Sequence, residues 1–180
     1  MIAAEDHYAI RDGTRADLAA IPDVQRAAAA RYRDFGMPEV ADGPVVDEEL
    51  LWRFLGEGSL FVVTRDAVAV GFVACAPLDR AAHVAEIHVA PEHARRGLGA
   101  RLLERLDAWA AARDMGRLTL TTYREVPYNA PYYRRLGFRE TSAAALGPEH
   151  VAMWKAQGEM GLDLSKRLLM DRPTATLRDR

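Results

Sequence analysis

Glu86 and His88 stand two residues apart in a run, Val84 to Val89, that is otherwise apolar. The run has strand character, and Pro91 stops it because proline has no N–H to give a ladder. On a strand, residues 86, 88 and 90 share one face. A carboxylate in such a run must face a cleft or find a partner, because burying it alone is costly. Facing a cleft, Glu86 can take a proton directly or through a water. His88 on the same face offers the same service, since an imidazole titrates near neutrality. The plainer readings stay open: a salt bridge or solvent-facing position for Glu86, and a satisfied structural histidine for His88.

The stretch after Pro91 invites a different chemistry. Arg95-Arg96-Gly97-Leu98-Gly99-Ala100 leads into Leu98, Leu102, Leu103, Leu106, Trp109 and Ala110, an apolar stripe at helical spacing. A helix start carries unpaired N–H groups and a partial positive charge. Glycines 97 and 99 remove the Cβ atoms that would hold a ligand off those amides, and Arg95, Arg96 and Arg101 add full charge. Such a junction can seat a phosphate or diphosphate. It can equally be a tight turn with basic surface residues. It is neither a P-loop, lacking Gly-Lys-Ser/Thr, nor a dinucleotide fingerprint, lacking the third glycine and the ribose-binding acid.

The elements that must position these groups follow from pattern. Strands are expected at Tyr8–Arg11, Leu60–Thr64, Val68–Ala76, His83–Ala90, Leu118–Tyr123, Phe138–Thr141 and Leu168–Met170. Arg65-Asp66 makes a hairpin turn, and Gly71 marks a bulge or a close backbone approach. One helix face runs through Leu18, Ile21, Val24, Ala28 and Tyr32 despite Pro22; others run from Leu98 to about Arg113 and from Pro148 to Gly158. Gly137 fits a helix C-cap. Cys75 reads as a small buried side chain, and His83 and His93 as strand-edge and loop residues without a role.

Between Asp34 and Glu49 there are six acids and no Lys or Arg, with Tyr32, Phe35, Met37, Trp52 and Phe54 nearby. Such a segment can form a negative, partly apolar wall that attracts a cation, with Tyr32, Phe35, Glu49 and Trp52 as its candidate contacts. The other reading is a solvated loop followed by acids that favour a helix start near Asp47.

Two stretches carry a resemblance. Val89-Ala90-Pro91-Glu92-His93-Ala94-Arg95-Arg96-Gly97-Leu98-Gly99-Ala100 resembles the acetyl-CoA pyrophosphate loop of the GNAT N-acetyltransferase superfamily, Arg/Gln-x-x-Gly-x-Gly/Ala, with Ala94 at its first position. Tyr133-Arg134-Arg135-Leu136-Gly137-Phe138 resembles that superfamily's second signature, a tyrosine three residues before Leu-Gly-Phe. The resemblance spans roughly residues 8 to 172. It implies an α/β (α+β) fold: a mixed, mostly antiparallel sheet of about six to seven strands flanked by helices, in which the parallel strands His83–Ala90 and Leu118–Tyr123 splay apart to admit acetyl-CoA. It also implies attack of an amine on the acetyl thioester, with Tyr133 protonating the thiolate and Glu86, or His88, as base. The main chain of His88 and Val89 would pair with the pantetheine arm, amides from Arg95 through Ala100 would hold the diphosphate, and Asn129 would hydrogen-bond the pantetheine. No metal is required.

The rest of the chain limits the alternatives. Its 180 residues suit one domain, 1–180, with a frayed tail over 173–180. A net charge of −2 gives no field for nucleic acid, and the longest charge-free apolar run, Ala67 to Leu78, is too short for a bilayer. A single cysteine excludes an intramolecular disulfide, and the start of the chain lacks a signal pattern, so a cytoplasmic protein is expected. The leading expectation is N-acetylation of a small, cationic amine. The alternatives are a protein N-terminal or lysine acetyltransferase, an acyl-CoA-binding module with little turnover, and a nucleotide-phosphate binder unrelated to CoA. Pairing of two copies through a sheet edge or the last strand is left open.

Overall fold

The computed structural model describes residues 7–175. Seven strands, β1 (Tyr8–Asp12), β2 (Leu60–Arg65), β3 (Val68–Leu78), β4 (Ala81–Val89), β5 (Arg117–Tyr123), β6 (Arg139–Thr141) and β7 (Arg167–Pro173), form one sheet in the order β1-β2-β3-β4-β5-β7-β6. The pairs β1–β2, β2–β3, β5–β7 and β6–β7 are antiparallel, whereas β4–β5 is parallel. The helices are α1 (Ile21–Ala29), α2 (Pro38–Ala41), α3 (Glu48–Gly56), α4 (Leu98–Ala111), α5 (Ala130–Arg135), α6 (Ala143–Leu146) and α7 (Pro148–Glu159). This is the mixed α/β arrangement expected. Among the described residues, no helix is long and apolar enough to cross a membrane.

The chain divides into two compact units. The first runs up to Cys75 and adds Ala85–Leu106. Asp66 and Ala67, both with positive φ (51° and 66°), make the two-residue turn between β2 and β3. The register slips where Val63 faces Gly71 and Thr64 faces Ala69, so the bulge falls at Val70, beside the glycine expected to mark it. Strand β2 is buried on both faces from Leu60 to Thr64, and Ile21, Leu51, Phe54, Leu102, Leu103 and Leu106 are nearly or wholly inaccessible. The helix face expected from Leu18 onward is broken. A 3-10 turn at Arg15–Asp17 precedes α1, which starts anew at Ile21. Proline lacks an N–H and is tolerated only in a helix's first turn, so Pro22 opens α1 instead of interrupting a longer helix.

The second unit comprises Ala76–Val84 and the chain from Asp107 onward. Its core is Leu118, Leu120, Phe138 and Leu168 to Met170. The last strand is longer than the expected Leu168–Met170, because every residue from Arg167 to Pro173 has a partner on β5. Thr174, expected in the frayed tail, is fully buried and donates its N–H to the Gly116 carbonyl (3.2 Å) and its hydroxyl to that of Met115 (3.0 Å). Residues 176–180 of that tail lie outside the described residues.

A buried polar chain ties α7 to this sheet. The Asp79 carboxylate accepts the His150 N–H (2.9 Å) and lies 2.8 Å from His150 Nδ1; His150 Nε2 lies 3.0 Å from Thr119 Oγ1, which lies 2.9 Å from His83 Nδ1. An ionised carboxylate only accepts, so the neutral rings order the chain as His83 Nδ1–H to Thr119, Thr119 O–H to His150 Nε2, and His150 Nδ1–H to Asp79. Burial works against the Asp79 charge, yet the hydrogen bonds from His150 and Glu149 hold its carboxyl below the ordinary range. At Gly147, the residue before α7, φ is +147° and a Cβ would run into the Asp79 carboxyl, so glycine is required there.

Candidate functional site

The loop between β4 and α4 lies in the first unit. Arg95 (φ 60°) and Gly97 (φ 74°) are both left-handed, which turns the chain sharply into the helix. The first helical hydrogen bond runs from Arg101 N–H to the Gly97 carbonyl at 3.1 Å. Among the described residues, no internal acceptor takes the amides of Leu98, Gly99 or Ala100, as the first turn of a helix dictates. A Cβ at Gly97 would meet nothing within 4 Å, so no side chain crowds the loop at that position. Arg95 and Arg96 are exposed, and Leu98 is buried as the loop's anchor.

The loop has a second anchor that sequence reasoning missed. His93 is buried, and its Nδ1 lies 2.9 Å from the Tyr8 hydroxyl, with the two rings edge to face at 5.7 Å. The Arg96 guanidinium lies over the same tyrosine ring at 5.8 Å, and Arg101 donates to the Tyr8 carbonyl at 3.3 Å. Tyr8 and His93 are 85 residues apart, so no local pattern reveals the pairing.

Glu86 and His88 meet as their shared strand face predicts. His88 Nε2 lies 2.8 Å from Glu86 Oε2, and both side chains are only partly exposed, at 19% and 29% respectively. The His88 ring packs on Phe72, centroids 5.5 Å apart. A third member comes from α1: Gln25 Nε2 lies 3.4 Å from the same Glu86 oxygen. Further along the strand, Ala90 N–H donates to the Val70 carbonyl (2.9 Å), and the His88 carbonyl lies against Gly71. The peptide groups of residues 88 and 90 therefore turn toward β3, and those of Ile87 and Val89 turn the other way. Parallel pairing of β4 with β5 is recorded from Ala82↔Leu118 to Val84↔Leu120, although β4 continues to Val89.

Tyr133 and Asn129 belong to the second unit. Asn129 precedes α5 and its carbonyl accepts the Tyr133 N–H at 3.0 Å; both residues are buried, at 7% and 8% exposure. The Tyr133 ring lies edge-on to Tyr132 (5.4 Å) and Phe138 (5.8 Å). Gly137, with φ of +86°, ends α5 as expected: Phe138 N–H reaches back to the Tyr133 carbonyl at 3.1 Å, a closed C-terminal turn.

Half of the six acids serve the segment's own structure. Asp42 pairs with Arg33, Asp47 caps α3 by accepting the Glu49 N–H at 2.6 Å, and Glu48 lies 3.4 Å from Trp52 Nε1. Asp34, Glu39 and Glu49 have no ion pair among the described residues. Phe35 and Trp52 are exposed, at 43% and 40%, and Tyr32 is half-buried. The Arg15 guanidinium sits 5.2 Å from the Trp52 ring centroid, so that ring already faces a cation of the same chain.

The model of the Acetyltransferase (GNAT) family matches residues 24–138. Solved structures of similar fold include PaiA N-acetyltransferase from Thermoplasma acidophilum in complex with coenzyme A, with 14% identity, a TM-score of 0.66, and coverage of 93% of this chain and 99% of that one. The ribosomal-protein-S18-alanine N-acetyltransferase from Escherichia coli shares 20% identity with a TM-score of 0.63, covering 93% and 94%. N-acetylglutamate synthase from Neisseria gonorrhoeae, complexed with coenzyme A and N-acetyl-glutamate, shares 17% identity with a TM-score of 0.68, covering 96% of this chain and 36% of that one. At these identities the structural likeness speaks for the fold.

Proposed function

Since the chain belongs to the Acetyltransferase (GNAT) family, we propose that it transfers the acetyl group of acetyl-CoA to a primary amine on a small acceptor. Glu86 and His88 handle the ammonium proton, and Tyr133 donates a proton to the departing thiolate. The observation that carries this reading is the first turn of α4, whose amides have no internal acceptor among the described residues and follow a left-handed, exposed Gly97. The family match runs through both units, which supports reading the chain as one acetyltransferase domain. The lone thiol, Cys75, is buried, which suits a reducing cytoplasm.

When bound, acetyl-CoA supplies an acetyl group already activated as a thioester. The amides of Leu98, Gly99 and Ala100 are available to the diphosphate, with the exposed Arg95 and Arg96 adding charge. Val89, whose peptide groups turn away from β3, can add strand-like hydrogen bonds to the pantetheine arm. His88 keeps its peptide groups toward β3, so its part in this reading moves from its main chain to its ring. An ammonium has no lone pair, so a proton must leave before its nitrogen can attack. With His88 Nε2–H donating to Glu86 Oε2, the free acceptors of the pair are Glu86 Oε1 and His88 Nδ1. A phenol carries an O–H donor, so Tyr133 can give its proton to sulfur as the carbon–sulfur bond breaks.

Thiol release from acetyl-CoA across a panel of polyamines, amino sugars, amino acid derivatives and short peptides tests the proposal. Release above background with at least one amine is expected. CoA binding without release from any member would leave an acyl-CoA-binding module, and stronger protection against heat by ATP or NAD than by CoA would point to a different phosphate ligand. Two substitutions add detail. Gly97→Val is expected to weaken CoA binding at least about tenfold by calorimetry, because a branched side chain at φ +74° must bend the loop at a cost of roughly 1–2 kcal/mol and also shields the amides. Tyr133→Phe is expected to lower kcat on the order of a hundredfold while leaving the CoA dissociation constant within about twofold. Unchanged turnover would remove Tyr133 as the acid.

A further inference from the structure

Gln25 is a polar side chain on α1 with only 8% of its surface exposed, and it is not on the surface for solubility. Its orientation is fixed by chemistry. Val46 N–H can only donate, and it lies 2.8 Å from Gln25 Oε1. The amide nitrogen must therefore be the end that faces Glu86, where it lies 3.4 Å from Oε2. That oxygen also receives His88 Nε2 at 2.8 Å. Both donors converge on one carboxylate oxygen and leave Oε1 without a recorded partner among the described residues. Phe72 packs on the His88 ring, and among the described residues no other charged side chain forms an ion pair or hydrogen bond with Glu86 or His88.

We propose that Gln25 is the positioning residue of the proton-accepting pair: clamped by the Val46 amide, it engages Glu86 through Oε2, leaves Oε1 for the incoming proton, and so ties the base to the segment that leads into α3. This rests on the reading of Glu86 and His88 as the groups that take the ammonium proton. The clamp also gives the 43–47 segment, one residue of which lies beside the α3 cap Asp47, a direct mechanical link to the base. Disorder in that segment would release Gln25 and let the carboxylate rotate.

Gln25→Glu separates these roles. The new side chain still accepts the Val46 N–H, but sets a carboxylate against Glu86 at the position of the lost amide. Two outcomes are expected. The acidic limb of the kcat/KM profile moves up by about one pH unit, and the His88 ring-proton resonances of the free protein titrate at correspondingly higher pH. Calorimetry with CoA at pH 8, expected within about twofold of wild type, verifies that the loop and fold persist. Gln25→Met, which keeps the volume and removes the amide, should lower kcat with KM for acetyl-CoA unchanged. An unmoved His88 titration in Gln25→Glu would overturn the positioning role outright. A shifted titration beside an unshifted rate profile would show that Gln25 senses the pair but that the pair is not the base, which would sink the underlying assignment and the positioning role with it.

Discussion

Glu86→Gln is expected to lower kcat by about 10² to 10⁴, equivalent to roughly 3–5 kcal/mol of barrier, at every pH where the wild type is active. The substitution changes almost no volume. It keeps an oxygen that can accept from His88 Nε2–H or Gln25 Nε2–H, but it removes the negative charge on which both donors converge. An amide in place of the carboxylate offers no proton acceptor of useful strength. Because Glu86 and His88 share one hydrogen bond, their losses should not add: His88→Gln alone and the double variant should fall to nearly the same floor. Steady-state kinetics with the best amine of the panel, measured between pH 6 and 9, decide the matter. An E86Q enzyme within threefold of wild type would mean that a water or another group takes the proton.

Burial, with the charges of His150 and Arg167 adding to it, pushes His83 down to about 3 from the ordinary 6.5. The hydrogen-bond chain explains why. His83 is satisfied as a neutral ring donating from Nδ1 to Thr119, and a second proton on Nε2 would find no recorded partner in a site only 5% exposed. The unfolded chain therefore binds this proton more readily than the folded one. The stabilisation is fully present above pH 6.5 and is lost as the pH falls from 6.5 toward 3, a total on the order of 5 kcal/mol. Urea midpoints measured at pH 7 and pH 4.5 should differ markedly for the wild type. His83→Asn, which can still donate to Thr119 but cannot be protonated, should lose most of that difference. The Asp79 carboxyl is held below its ordinary 3.8, so its own contribution is lost only as the pH falls below that, under the pH 4.5 measurement. An equal acid response in both proteins would mean that His83 is not the group responsible.

The linear pattern made much of the fold legible. The stripe Leu98, Leu102, Leu103, Leu106, Trp109 and Ala110 is buried as its spacing requires, and every expected strand is present. Glycines and prolines were informative where their chemistry is local: Gly97 is left-handed at the loop, Gly137 closes α5, and Gly71 sits beside the bulge. Pro22 misled because apolar spacing continues across it, whereas the hydrogen-bond ladder cannot. The acidic segment was legible only as composition. Asp47 serves helix capping and Asp42 a local ion pair, interactions that look the same in a sequence as a wall awaiting a cation.

The histidines show most clearly where local reasoning stops. His83 and His93 offered no pattern, yet one closes a buried chain with Thr119, 36 residues away, and the other pins the loop to Tyr8, 85 residues away. Gln25, 61 residues from Glu86, is the same case inside the candidate site. By itself the sequence determined the elements, their buried faces, the sharp turn into α4 and the family signatures, because side-chain period and backbone freedom are properties of neighbouring residues. Only the tertiary structure decided which polar groups meet, how Gln25 is oriented, and which peptide groups of β4 turn toward β3. Those depend on strand order and register, set by the burial of the whole chain and contained in no short window of it.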